Sequence, residues 1–114
     1  MKRESHAVAA LAAALAGLLV APGAVFGEQV ASQGLALAQQ QNCTSCHAMT
    51  RPFMGPALHD IALKYASRSD AATYLAHKIT DGSSGVWGRV PMPANTQLTP
   101  DQAVTLANWI LSLK

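Results

Sequence analysis

The chain has 114 residues, half of them apolar and only 12% charged, with eight Lys/Arg against six Asp/Glu and two cysteines. That length allows one small domain. The formal charge of +2 is too slight for a nucleic-acid face or a polybasic membrane patch.

The first quarter differs from the rest. Lys2 and Arg3 precede an uncharged run, Ala7 to Ala21, and Pro22-Gly23 breaks it. A basic start, a short apolar centre and a small-residue exit describe a secretory signal. Val25 and Gly27 suit the positions before cleavage, so residues 1–27 are expected to be removed and 28–114 to form the mature domain; Ala24 and Ala31 are other possible ends. A retained anchor is the competing reading, since the run approaches the roughly 20 residues that span a bilayer. The Pro-Gly break argues against it, and no stable membrane insertion is expected. The remaining part holds six basic against five acidic residues. Near-neutrality predicts weak long-range steering toward a partner.

Four helices can be read in the mature part. Val30 to Gln41 is rich in alanine and glutamine, with Gly34, Leu37 and Ala38 on one face. A second opens at Pro56 and runs to Tyr65, its stripe formed by Leu58, Ile61, Ala62 and Tyr65. A third follows Ser69 as N-cap, buries Ala72, Leu75, Ala76 and Ile79, and stops at Asp81-Gly82. The last starts with Thr99-Pro100-Asp101-Gln102, a capping box, and continues with Ala103, Leu106, Ala107 and Ile110 at helical spacing. No strand alternation or internal repeat is evident, so the fold class is all-α. Between the third and fourth helices lies DGSSGVWGRVPMPANTQL, a connection long enough to suggest a functional role.

The two cysteines stand in CTSCH, Cys43 to His47. A Cys-X-X-Cys pair in an exported chain could be a redox dithiol, but that motif belongs to a βαβ setting. Half a zinc site is a second reading, with His59 or His77 needed to complete four ligands. The third is c-type haem attachment, in which both thiols add to vinyl groups of one porphyrin and the adjacent histidine reaches the iron. Haem c would also explain a sparse core. The mature part has only five aromatic side chains, and a macrocycle would supply the missing apolar bulk.

With His47 on one side of an iron, the opposite position could fall to Met49, Met54, Met92, His59 or His77. Two residues of extended chain span only about 7 Å, which rules out Met49. Met54 would have to round the macrocycle edge within a segment turned by Pro52 and Pro56. His59 and His77 lie on helices away from the apolar stripes, as solvated residues do. Met92 remains, held between Pro91 and Pro93, which stiffen its segment and have no N–H to satisfy. Its alternative is a core-filling methionine.

CTSCH, MGPALHDIALKYA, DGSSGVWGRVPMPAN and LANWILSLK, in this order, resemble the small class I bacterial cytochromes c over nearly all of residues 30–114. The resemblance implies about four helices wrapped around one covalent haem c. It also implies that the Pro56 carbonyl accepts the His47 imidazole N–H. Asn95 would hydrogen-bond near the Met92 sulfur, and the Trp87 indole would reach a haem propionate. A surface aromatic and a turn residue are the plainer readings of Trp87 and Asn95. Two departures stand out: Ala38 where many relatives carry an aromatic residue, and Lys78 where some place arginine near a propionate.

His/Met ligation raises the haem potential and closes the iron to dioxygen. The expected function is therefore a periplasmic one-electron shuttle, a monomer and not an enzyme. Its partners would be a quinol-oxidising cytochrome complex and a terminal oxidase or nitrite-type periplasmic reductase. The rival is an open-iron enzyme or gas sensor, for which no distal acid/base pair is evident.

Overall fold

Pro22–Gln40 form the first helix, α1, in a computed structural model that describes residues 12–19 and 22–114. Much of the expected secretory segment, including Lys2 and Arg3, lies outside the described residues. α1 begins well before the expected Val30 and runs through Glu28 without a break. Pro22 stands where a missing N–H costs no helical bond. Gly34 faces Trp109 so closely that a Cβ there would overlap the indole. Helix α1 can approach the last helix only because this residue lacks a side chain. Ala38, one turn on, is fully buried in the same cluster.

The chain leaves α1 through Asn42, whose φ of 58° is left-handed, and enters a 3-10 turn, Cys43–Ser45. Asparagine tolerates that conformation better than most residues. The segment after the turn then caps α2, Leu58–Tyr65. The first two α2 amides, Leu58 and His59, donate to the carbonyls of Ala48 (2.9 Å) and Met49 (3.0 Å). Sequence placed this helix start at Pro56. Ala57 is instead extended, with ψ 138°, which leaves the Pro56 carbonyl outside the helix and free to accept. The stripe is as read: Leu58, Ile61, Ala62 and Tyr65 are buried.

Helix α3, Ala71–Asp81, starts one residue later than expected, with Asp70 rather than Ser69 at the N-cap. Its buried face is Ala71, Leu75, Ala76 and Ile79, so Ala71 takes the place assigned to Ala72. Ala71 lies four residues before Leu75 on the core side of the stripe, while Ala72 is half-buried at its edge. Gly82 ends the helix at φ 79°, and a Cβ there would stand 2.7 Å from the Met92 carbonyl oxygen. Both backbone conformation and space require glycine.

Helix α4, Pro100–Leu111, opens on the capping box. Gln102 N donates to Thr99 Oγ1 at 3.2 Å, and Thr99 N donates to Gln102 Oε1 at 3.0 Å. α4 packs on α1, α2 and α3 and supplies Leu106, Ala107, Trp109 and Ile110 to a shared core. Leu58 and Leu106 are its largest fully buried side chains. Each contributes about 1.5–3 kcal/mol of burial. Among the described residues there is no strand, only an isolated antiparallel bridge between Ser83 and Met92. No described helix is long and apolar enough to cross a membrane. The fold class is all-α.

Candidate functional site

Where α2, α3 and α4 come together their apolar stripes do not meet along the whole length. They leave a cavity of about 420 Å³, walled by Leu58, Ile61, Leu75, Ile79 and Leu106. Its size is in the range of cofactor and small-ligand sites. All eight residues singled out in the sequence border it: Cys43, Cys46, His47, Pro56, Lys78, Trp87, Met92 and Asn95.

One side of the cavity belongs to residues 41–56. The amides of Cys46 and His47 both donate to the Cys43 carbonyl, at 3.2 and 2.9 Å, winding CTSCH into one turn. Cys43 and Cys46 are unbridged and half-buried. Burial pushes the Cys43 thiol above its ordinary value, which keeps it protonated at neutral pH. His47 Nδ1 donates to the Pro56 carbonyl at 2.7 Å. That bond fixes the ring and leaves Nε2 with the lone pair.

Gly55 also belongs to this arrangement, and the sequence reading passed over it. A Cβ at Gly55 would lie 2.6 Å from His47 Cε1 and 2.9 Å from Nδ1. The imidazole rests directly on its backbone, which is itself tied by Gly55 N to the Cys46 carbonyl at 2.9 Å. A glycine directly before Pro56, close after the thiol-histidine segment, was the available signal.

The other side comes from the connection between α3 and α4. Met92 exchanges two backbone hydrogen bonds with Ser83, at 3.0 and 2.8 Å. Asn95 donates twice to the Ile79 carbonyl, from its backbone N and from Nδ2, both at 3.0 Å, and its Nδ2 also reaches the Pro93 carbonyl at 3.4 Å. The Asn95 amide thus ties the connection to the end of α3. Met54, set aside in the sequence as a ligand candidate, also borders the cavity. It adjoins Gly55 and so lies on the side that carries His47.

Trp87 and Lys78 occupy the rim. The Trp87 ring meets Tyr65 edge-on at 6.5 Å, with Lys64 Nζ 4.6 Å above its centroid. Lys78 Nζ lies 5.3 Å from the Tyr74 ring, and Tyr74 is 5.2 Å from Tyr65. Burial, and then Tyr74 beside it, push the Tyr65 phenol upward. His77 is exposed and faces Asp81 at 3.6 Å. Among the described residues no group of three or more His, Cys, Asp or Glu side chains could hold a metal, so the zinc reading lacks its remaining ligands.

The residues fit a flat apolar group. The walls are aliphatic, two thiols stand at the spacing for double attachment, and an oriented imidazole keeps one nitrogen free. Such a combination on four short helices defines a small monohaem protein of the c type. The cytochrome c family model matches residues 31–114. The chain is 56% identical to cytochrome c-552 of Nitrosomonas europaea over 78 residues, 68% of this chain and 76% of that one. It is 48% identical to cytochrome c-552 of Hydrogenobacter thermophilus over 97 residues, 85% and 96% of the two chains. The crystal structure of the Nitrosomonas europaea protein superposes with a TM-score of 0.69 at 55% identity, covering 70% of this chain and 99% of that one. This chain belongs to the cytochrome c family: a small class I monohaem cytochrome that binds covalent haem c and transfers electrons.

Proposed function

We propose that this protein is an exported one-electron shuttle with His47 and Met92 as its axial ligands. Bound haem c supplies a single Fe(II)/Fe(III) couple that changes by one electron with little rearrangement. The chain supplies everything else. Cys43 and Cys46 provide the thioether anchors. His47, oriented by Pro56 and pressed by Gly55, presents Nε2 from the same side.

The observation that carries the reading is the position of Met92. It lies on the connection fastened to α3, whereas Met54 adjoins the residue against which His47 rests. Only Met92 therefore comes from a different element than the histidine. A thioether is a weak ligand, so its position has to be held by the chain. Pro91 and Pro93 limit the conformations of the connection, and the Ser83 bridge fixes its register. Asn95 serves the same end through the Ile79 carbonyl. Trp87 and Lys78 are assigned to the propionate edge because both line the rim and both carry N–H donors.

Residues 1–27 are read as a cleaved export signal and 28–114 as the mature periplasmic domain. It would accept electrons from a quinol-oxidising cytochrome complex and pass them to a terminal oxidase or nitrite-type reductase. With both axial positions filled by protein, no site is left for substrate, which favours a carrier over an enzyme. Met92→Ala tests the assignment: the reduction potential should fall, because methionine ligation raises it. A potential equal to that of the parent would refute Met92 as a ligand.

A further inference from the structure

The connection that bears Met92 is tethered on two sides. Its bonds to Ser83 and to the Ile79 carbonyl all lead back to α3 and its end. One bond leads the other way. Gln97 Nε2 donates to Gln41 Oε1 at 2.8 Å, across 56 residues of sequence, and reaches Asn95 Oδ1 at 3.4 Å. Gln41 closes the end of α1 two residues before Cys43, and both Gln41 and Asn95 border the cavity. Among the described residues, Gln41–Gln97 is the one hydrogen bond between this connection and residues 41–56, which carry Cys43, Cys46 and His47.

We propose that Gln41 and Gln97 form a strap that holds the Met92 connection closed over the cavity, as positioning residues for the Met92 sulfur. The proposal rests on the reading of Met92 as the sixth ligand. The tethers to Ser83 and Ile79 hold the connection to α3, and the strap ties its C-terminal part to the end of α1. Gln97 Nε2 also reaches Asn95 Oδ1, so losing the strap loosens Asn95 through that bond, and Pro93, between Asn95 and Met92, passes the change to the Met92 segment. Two neutral amides make the closure insensitive to pH, unlike a charged latch. The bond is exposed, so losing it should raise the population of the open connection by roughly twofold, the low end for a hydrogen bond.

The test uses the ferric, haem-loaded full chain with imidazole as the competing probe, together with amide hydrogen exchange. In Gln97→Leu, imidazole affinity should rise roughly twofold. Exchange of the Met92 amide should quicken by a similar factor, while the Ala103 amide in α4 keeps the parent rate. A Gln41→Lys/Gln97→Glu double variant, which replaces the amide pair by an ion pair, should return both values toward the parent. The strap is refuted if Gln97→Leu matches the parent in binding and exchange while Met92→Ala binds imidazole far more tightly. It is also refuted if the double variant stays at the Gln97→Leu level, which would assign the effect to Gln97 packing. Equal imidazole affinity in Met92→Ala and the parent would instead overturn the ligand reading, and the proposal with it.

Discussion

Gly55→Ala should disturb the oriented histidine without touching any ligand. The added methyl would stand 2.6 Å from His47 Cε1 and 2.9 Å from Nδ1, where ordinary contact begins near 3.5 Å. The ring must retreat by about 1 Å. Its Nδ1 bond to the Pro56 carbonyl, now 2.7 Å, would then lie beyond hydrogen-bond reach. Overpacking of this kind costs about 1–3 kcal/mol, and the lost bond adds about 0.5–1.5 kcal/mol. For a domain of this size even the lower end lowers Tm by about 6 °C. The assay is thermal unfolding of the haem-loaded protein by circular dichroism, paired with NMR detection of the His47 ring N–H. A Tm within about 2 °C of the parent, with that N–H still protected, would refute the argument that Gly55 exists to seat the imidazole.

Two further perturbations test the frame around the site. Thr99→Ala removes one arm of the capping box and should cost about 1 kcal/mol, read as a lower urea midpoint with unchanged slope. An unchanged midpoint would mean that the cap is not stabilising. The Arg68 guanidinium, hydrogen-bonded to Asp70, holds that carboxyl below the usual carboxylate range. A carboxyl whose pKa is depressed by folding adds stability above its unfolded value and loses it as pH falls through the folded one. The Tm difference between the parent and Asp70→Asn should therefore be widest near neutral pH and close in acid. It should be small, because the pair is exposed. A difference that widens on acidification would contradict the assignment.

Periodic signals were readable in the sequence and contacts between distant segments were not. The α2 and α4 stripes and the Thr99–Gln102 box follow from spacing within one turn, so the chain states them locally. The start of α2 was misplaced because its cap partners, Ala48 and Met49, lie about ten residues upstream. The α3 start was off by one because Ser69 and Asp70 are both acceptable N-caps. At the site, CTSCH named the haem attachment, and PMPAN carries the proposed sixth ligand. Gly55 was marked only by its place before Pro56, and Ser83, Gln41 and Gln97 by nothing, since their roles arise from contacts with residues that folding brings beside them. α1 runs back to Pro22 although two glycines weaken its first part, Gly23 and Gly27, and the periodic signal begins only near Val30.

The central claim is that both axial positions are filled by the protein, one by His47 and the other by Met92. The visible spectrum of the purified ferrous protein, taken before and after carbon monoxide, tests it most directly. The account predicts the sharp bands of low-spin haem c, unchanged by the gas. A prompt shift on addition would show an open or readily vacated sixth position and would contradict Met92 as the second axial ligand.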